Sequence, residues 1–173
     1  MDERGDSGIV RRASPWLCGV VFVFAACRPA APVRDTPGVV EPPSPQGTAI
    51  VAMINEQRRQ AGVSPLHEAP SLTRAALLHA GQLAIVGRLD HVLPGEAHPR
   101  PEDRLAAAGY AWQAWAENLA SGRDPSDVVA RWMASPEHRA NILNANYTET
   151  GVGFVPDGSG SGYYVQVFGR PRS

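Results

Sequence analysis

The sequence predicts an α+β domain. Apolar residues recur at helical spacing through its middle, and two β-branched and aromatic runs joined by a glycine-rich turn come last. Composition supports one ordinary core: of 173 residues, 43% are hydrophobic and 19% charged. The formal net charge of -1 leaves no basic excess of the kind that nucleic-acid binding requires.

At the N-terminus, Arg11 and Arg12 precede an apolar run from Trp16 to Ala26. A basic start, a short hydrophobic segment and small closing residues form a signal-peptide pattern. The run is shorter than the roughly 18 to 20 apolar residues that span a bilayer as a helix. Ala25-Ala26-Cys27 resembles a bacterial lipobox, in which lipidated Cys27 would anchor the chain to a membrane; cleavage near Ala26 would instead release a soluble protein. Residues 1–27 are therefore expected to be a signal peptide of lipoprotein type. Residues 28–47 carry Pro29, Pro32, Pro37, Pro42, Pro43 and Pro45 and read as a disordered spacer. The folded domain is expected over 48–173, large enough for one core. Both cysteines, Cys18 and Cys27, precede it, so neither a disulfide framework nor a cysteine metal site is available to it.

Within the domain, Thr48 can cap a first helix carrying Ile50, Val51, Met53 and Ile54, which stops near Gly62. Ser71 can cap a second, with Leu72, Ala75, Ala76, His79, Ala80 and Leu83 along one stripe. A third follows Arg100-Pro101 and closes at Gly109, and a fourth runs from Pro125 to Met133 behind Asp124. Ser135 can cap a further short helix, with Pro136 at its first position and Glu137 in its first turn, so that His138 is aimed from a helix start. Trp115 to Ala120 could form a strand or its edge. Gly151–Val155 and Tyr163–Phe168 read as two strands around the turn 157–162.

Three separated elements offer chemistry: His91 in a loop, Glu117 in the 115–120 run and His138 on the short helix. Two imidazoles and a carboxylate could bind a divalent cation with one position open to water or ligand. They could equally transfer protons, because imidazole titrates near neutral pH. Spacing alone leaves both open. His79, on an apolar stripe, reads as a hydrogen-bonded core histidine, and His67 and His98 read as surface loop residues. Arg104 reads as a structural bridge between the third helix and the core. Asn118 and Asn141 read as partners of backbone groups, and Trp112 and Trp115 as packing before any ligand-facing role. No Gly-x-Ser-x-Gly elbow supports a serine hydrolase.

Taken in order, Asn55-Glu-Gln-Arg58, Gly62, Leu66, Leu72–Ala84, His91, Arg104, Gly109-Tyr110, Ala116–Ala120, Trp132–Asn144, Gly151-Val-Gly153 and Phe168 resemble a domain of the CAP superfamily. This superfamily, also called SCP domains, includes cysteine-rich secretory, antigen and pathogenesis-related proteins, and the resemblance is to its short bacterial branch. It implies an α-β-α sandwich with a small antiparallel sheet and a central cleft. It also implies that His91, Glu117 and His138 line that cleft and can hold a divalent cation, Zn or Mg. The family's second glutamate falls at Ser135, and Glu137 is its nearest substitute. Consecutive helix residues point about 100° apart, which makes Glu137 and His138 poor co-ligands.

The function expected from these observations is a non-enzymatic, exported and envelope-associated binding module for a divalent cation and a lipid or cell-wall ligand. One alternative is a hydrolase of peptide or cell-wall bonds, with His138 as general base and Glu117 orienting it or a metal-bound water. Another is a structural or protein-interaction module with an idle cleft.

Overall fold

The computed structural model of the protein describes residues 43–172. The expected signal peptide, the Cys27 lipidation site and the spacer up to residue 42 lie outside the described residues. Elements run in the order α1 (Pro45–Gln60), β1 (His67–Glu68), α2 (Pro70–Val86), α3 (Pro101–Ala107), β2 (Trp112–Gly122), α4 (Pro125–Ala134), α5 (Pro136–Leu143), β3 (Glu149–Pro156) and β4 (Gly162–Pro171).

All five of these helices start on a proline, whose fixed φ suits the first helical position and whose missing N–H is no loss there. This moves two of the expected starts. Ser44, not Thr48, caps α1: its Oγ accepts from the Gly47 amide at 3.0 Å, and the helix takes in Pro45–Gly47 of the expected spacer. α2 begins at Pro70 rather than behind Ser71. The Ala69 amide donates to the Thr150 carbonyl, so strand pairing sets the chain's entry into the helix and no side chain caps it.

The sheet has strand order β1-β3-β4-β2. Its three long strands are antiparallel, as expected, but β1 pairs parallel with β3 through His67–Glu149 and Glu68–Thr150, making the sheet mixed. Two exposed residues are too short for alternation to reveal a strand, so β1 had no sequence signal.

Strand alternation divides the interior into two cores, one on each face of the sheet. On one face Tyr164 and Phe168 of β4 pack with Ile50, Ile54, Val128, Trp132 and Ile142 from α1, α4 and α5. On the other, Val165 and Val167 pack with Leu72, Ala76 and Leu83 of α2, Leu105 of α3 and Leu119 of β2. Helices on both faces make this an α-β-α sandwich. α2 lies so close to β3 that a Cβ on Gly151 would fall on the Thr73 backbone, and one on Gly153 on that of Ala76.

Arg58 closes the other layer. Fully buried, it donates to the carbonyls of Ser64, Ile142, Asn144 and Tyr147. Two of these oxygens end α5, where the helix dipole favours a cation.

Candidate functional site

β2 is an edge strand, paired only with β4 among the described residues, and its alternation gives the site its geometry. Glu117 stands opposite Val167 and shares its face, towards α2. Asn118 turns to the other face, where its Nδ2 donates to the His138 carbonyl at 3.2 Å.

The Glu117 side chain is only 2% exposed, and a carboxylate so buried requires donors. Arg104, one turn into α3 and equally buried, supplies the main one: its Nη2 lies 3.3 and 3.2 Å from the two carboxylate oxygens. The same guanidinium donates to the carbonyls of His91, His98 and Pro99, so it also ties down the loop between α2 and α3. That loop presents His91, whose Nδ1 lies 2.8 Å from Glu117 Oε1. An ionised carboxylate only accepts, so Nδ1 carries a proton and Nε2 is left free of that bond. The ring itself is 52% exposed. A fixed carboxylate thus orients a solvent-facing imidazole.

His138 stands in the first turn of α5, below the Ser135 cap, with its ring tilted against Trp132 at 6.5 Å between centroids. Burial pushes its pKa down, His91 adds to that, and Glu137 partly offsets it. It is therefore neutral at neutral pH. His91 is close enough to act on it electrostatically, yet the carboxylate's imidazole partner at bonding distance is His91. The structure consequently pairs Glu117 with His91, not with the histidine expected as a general base. Glu137 is exposed and acts on His138 through its charge. Ser135, where the resemblance implies a second glutamate, is the α5 cap.

Two further residues belong to the surroundings of Glu117. One is Arg104, expected to be structural. The other is His79, expected to be a hydrogen-bonded core residue: it is fully buried, but its Nε2 lies 3.7 Å from Glu117 Oε1 and makes no hydrogen bond of good geometry among the described residues. Burial pushes its pKa down, with Glu117 opposing and Arg104 reinforcing the shift. A residue on an apolar stripe gives no sign in the sequence of which strand residue it will meet.

The other expectations resolve simply. Trp112 and Trp115 pack against the α2-side core. Asn118 holds a backbone carbonyl as expected, but Asn141 donates to the Asn118 side chain rather than to backbone. His67 lies exposed on β1, and the His98 carbonyl serves Arg104.

Among the described residues, no three His, Cys, Asp or Glu side chains form a group that could hold a metal ion. The arrangement explains why. Both Glu117 oxygens face a guanidinium, and His91 spends its Nδ1 on the same carboxylate. A dication on Glu117 would have to compete with Arg104 at close range. As arranged, His91, Glu117 and His138 do not fit a bound divalent cation.

The profile of CAP, the cysteine-rich secretory protein family, matches residues 51–168. Over 111 residues, 64% of this chain, the sequence is 34% identical to the uncharacterized protein YkwD of Bacillus subtilis (strain 168), of which the match covers 42%. The chain thus spans under half the length of that relative. Among solved structures, an extracellular protein containing a SCP domain from Bacillus anthracis superposes with a TM-score of 0.66 at 25% identity, covering 75% of this chain and 45% of that one. An outer surface protein from Borrelia burgdorferi also gives 0.66, at 23% identity, covering 72% of this chain and 92% of that one.

Proposed function

This chain belongs to the cysteine-rich secretory protein (CAP) family, and we propose that it is an exported, envelope-associated binding module that recognises a polar cell-wall ligand through His91 and His138. One observation carries this reading: His91 is half exposed yet held by a buried carboxylate that is itself held by Arg104. Binding sites combine a few fixed polar groups with an accessible, partly apolar surround. His91 offers its second ring nitrogen, and neutral His138 offers a donor and an acceptor beside it. Exposed Ile85, Val86, Leu89 and Val92 flank His91 in the chain and supply apolar surface. Hydroxyl, amide and carboxyl groups of peptidoglycan suit such a set.

A second groove supports the lipid part of the expectation. It lies between α1 and α4, has a volume of about 260 Å³, and is lined by Met53, Glu56, Gln57, Ser126, Val129, Ala130 and Met133. It is on the opposite helical layer from Glu117, so a lipid there would be a separate ligand. Export is supported by the names of two structural relatives, one extracellular and one an outer surface protein. Anchoring rests on the Ala25-Ala26-Cys27 pattern.

The pair His91–Glu117 also has the form of a general base with its orienting carboxylate. It favours a hydrolase reading in which His91, not His138, is the base and a water is the nucleophile.

Calorimetric titration with soluble peptidoglycan fragments tests the binding reading. Binding by the wild type that is lost in His91→Ala/His138→Ala supports it, and equal heats in both overturn it. Turnover of those fragments that disappears in His91→Ala would establish the hydrolase instead. A stoichiometric zinc heat that vanishes in the double variant would establish a metal site.

A further inference from the structure

We propose that His79 is a positioning residue of this site, whose Nε2–H is a reserve donor that takes over Glu117 Oε1 whenever the exposed His91 ring is displaced from it. The inference rests on the reading of His91 as the ligand-facing group, but its test uses no ligand.

Three features of the geometry point to it. His79 lies fully buried on α2, with Nδ1 3.5 Å from Gln82 Oε1. Its Nε2 makes no hydrogen bond of good geometry among the described residues, although the Asp90 backbone lies close enough to stabilise a ring proton. That nitrogen lies 3.7 Å from Glu117 Oε1, the oxygen that His91 Nδ1 occupies at 2.8 Å. Two imidazoles therefore address one oxygen, one bonded and one standing off. Buried polar atoms are nearly always satisfied, so an idle ring nitrogen beside a carboxylate calls for a reason.

The carboxylate selects the tautomer. It only accepts, so its field favours a proton on His79 Nε2 over a lone pair facing it. The backbone of Asp90 favours a proton-bearing ring as well. The Gln82 amide can then turn its NH₂ group to the Nδ1 lone pair. Closing from 3.7 Å to an N–H···O distance of about 3.0 Å is a movement of under about 1 Å, within the reach of a side-chain adjustment.

Exchange follows from what His91 would leave behind. Without it, Oε1 keeps the 3.3 Å contact from Arg104. A buried carboxylate that loses a donor is penalised, and His79 replaces that donor from inside the core. The exposed ring can then move without stranding the buried charge, while Arg104 holds Glu117 in place.

Nuclear magnetic resonance of the full chain with 15N-labelled histidine tests this directly. In the wild type, His79 is expected to be neutral with its proton on Nε2. In His91→Ala, that Nε2–H resonance is expected to move downfield and exchange more slowly with water as the bond tightens. A proton on Nδ1 would overturn the proposal. So would an Nε2–H resonance indifferent to His91→Ala, the behaviour of a proton held by the Asp90 carbonyl. Stability provides a second readout: His79→Leu is expected to destabilise His91→Ala more than the wild type, and His79→Gln, which retains an N–H donor, to restore part of the loss. Strict additivity would contradict the exchange. Failure of the peptidoglycan-fragment titration would overturn the binding reading and leave these ring measurements unaffected.

Discussion

Arg104 bears more of the site's integrity than either histidine. It neutralises Glu117 and holds three loop carbonyls, among them that of His91. Removing one partner of a buried ion pair strands the other, at a cost of about 3–5 kcal/mol. Arg104→Met, close in size but uncharged, is therefore expected to lower unfolding free energy by about that amount in urea denaturation, whereas Glu137→Gln leaves it nearly unchanged. The buried imidazoles set a pH dependence. His79 and His138 both have folded-state pKa values pushed below the ordinary value of 6.5, chiefly by burial. As pH falls through about 6.5 the unfolded chain takes up protons that the folded one does not, so stability is full above that pH and declines below it. Urea midpoints between pH 7.5 and 5 should fall accordingly, and less steeply in His79→Gln. At this scale the sequence disclosed His91 and Glu117 through their motifs. It hid the partnership with Arg104 and His79, because pairing across the sheet depends on tertiary register and leaves no local pattern.

Elements place these residues by close approach and by caps. Gly151 and Gly153 let α2 rest directly on β3, and α2 carries His79 towards Glu117. Gly153→Ala would set a Cβ against the Ala76 backbone, which has no flexible end to yield. Such overpacking is expected to cost about 3 kcal/mol, read as a lowered thermal midpoint, while an alanine at exposed Ser126 should cost far less than Gly153→Ala. Helix existence was legible in the sequence from apolar spacing, and α3, α4 and α5 begin at the prolines that announced them. The starts of α1 and α2 were misread because Thr48 and Ser71 are competent caps by type. Ser44 caps α1 from just before its proline, and Ala69 is committed to β1 pairing. Ser135 shows the same logic to functional effect. It ends α4 and caps α5, and so aims His138 from the first turn of the second helix.

At the scale of the whole molecule, the two helical layers keep different chemistries apart. The α2 layer and the β2 edge hold the charged cluster around Glu117, and the α1–α4 layer holds the apolar groove. Fold class was legible because helices, terminal strand pair and motifs agreed. The chemistry was less so: His91, Glu117 and His138 suggested a cation, and the guanidinium that turns Glu117 into an internal anchor came from a residue read as a structural bridge, with no sign in the sequence that Glu117 was its partner. The N-terminal pattern adds a claim about location. Cys27→Ala is expected to abolish incorporation of labelled fatty acid in a bacterial host while leaving the domain folded, and labelling retained in the variant would exclude that anchor.

Ligand recognition through His91 and His138 is tested most directly by a 15N-imidazole titration of the wild-type protein with soluble peptidoglycan fragments. The ring resonances of His91 and His138 are expected to move together and saturate, while His67 on β1 stays fixed. Saturable binding that moves neither ring, or a His91 ring that responds only to zinc, would contradict that recognition.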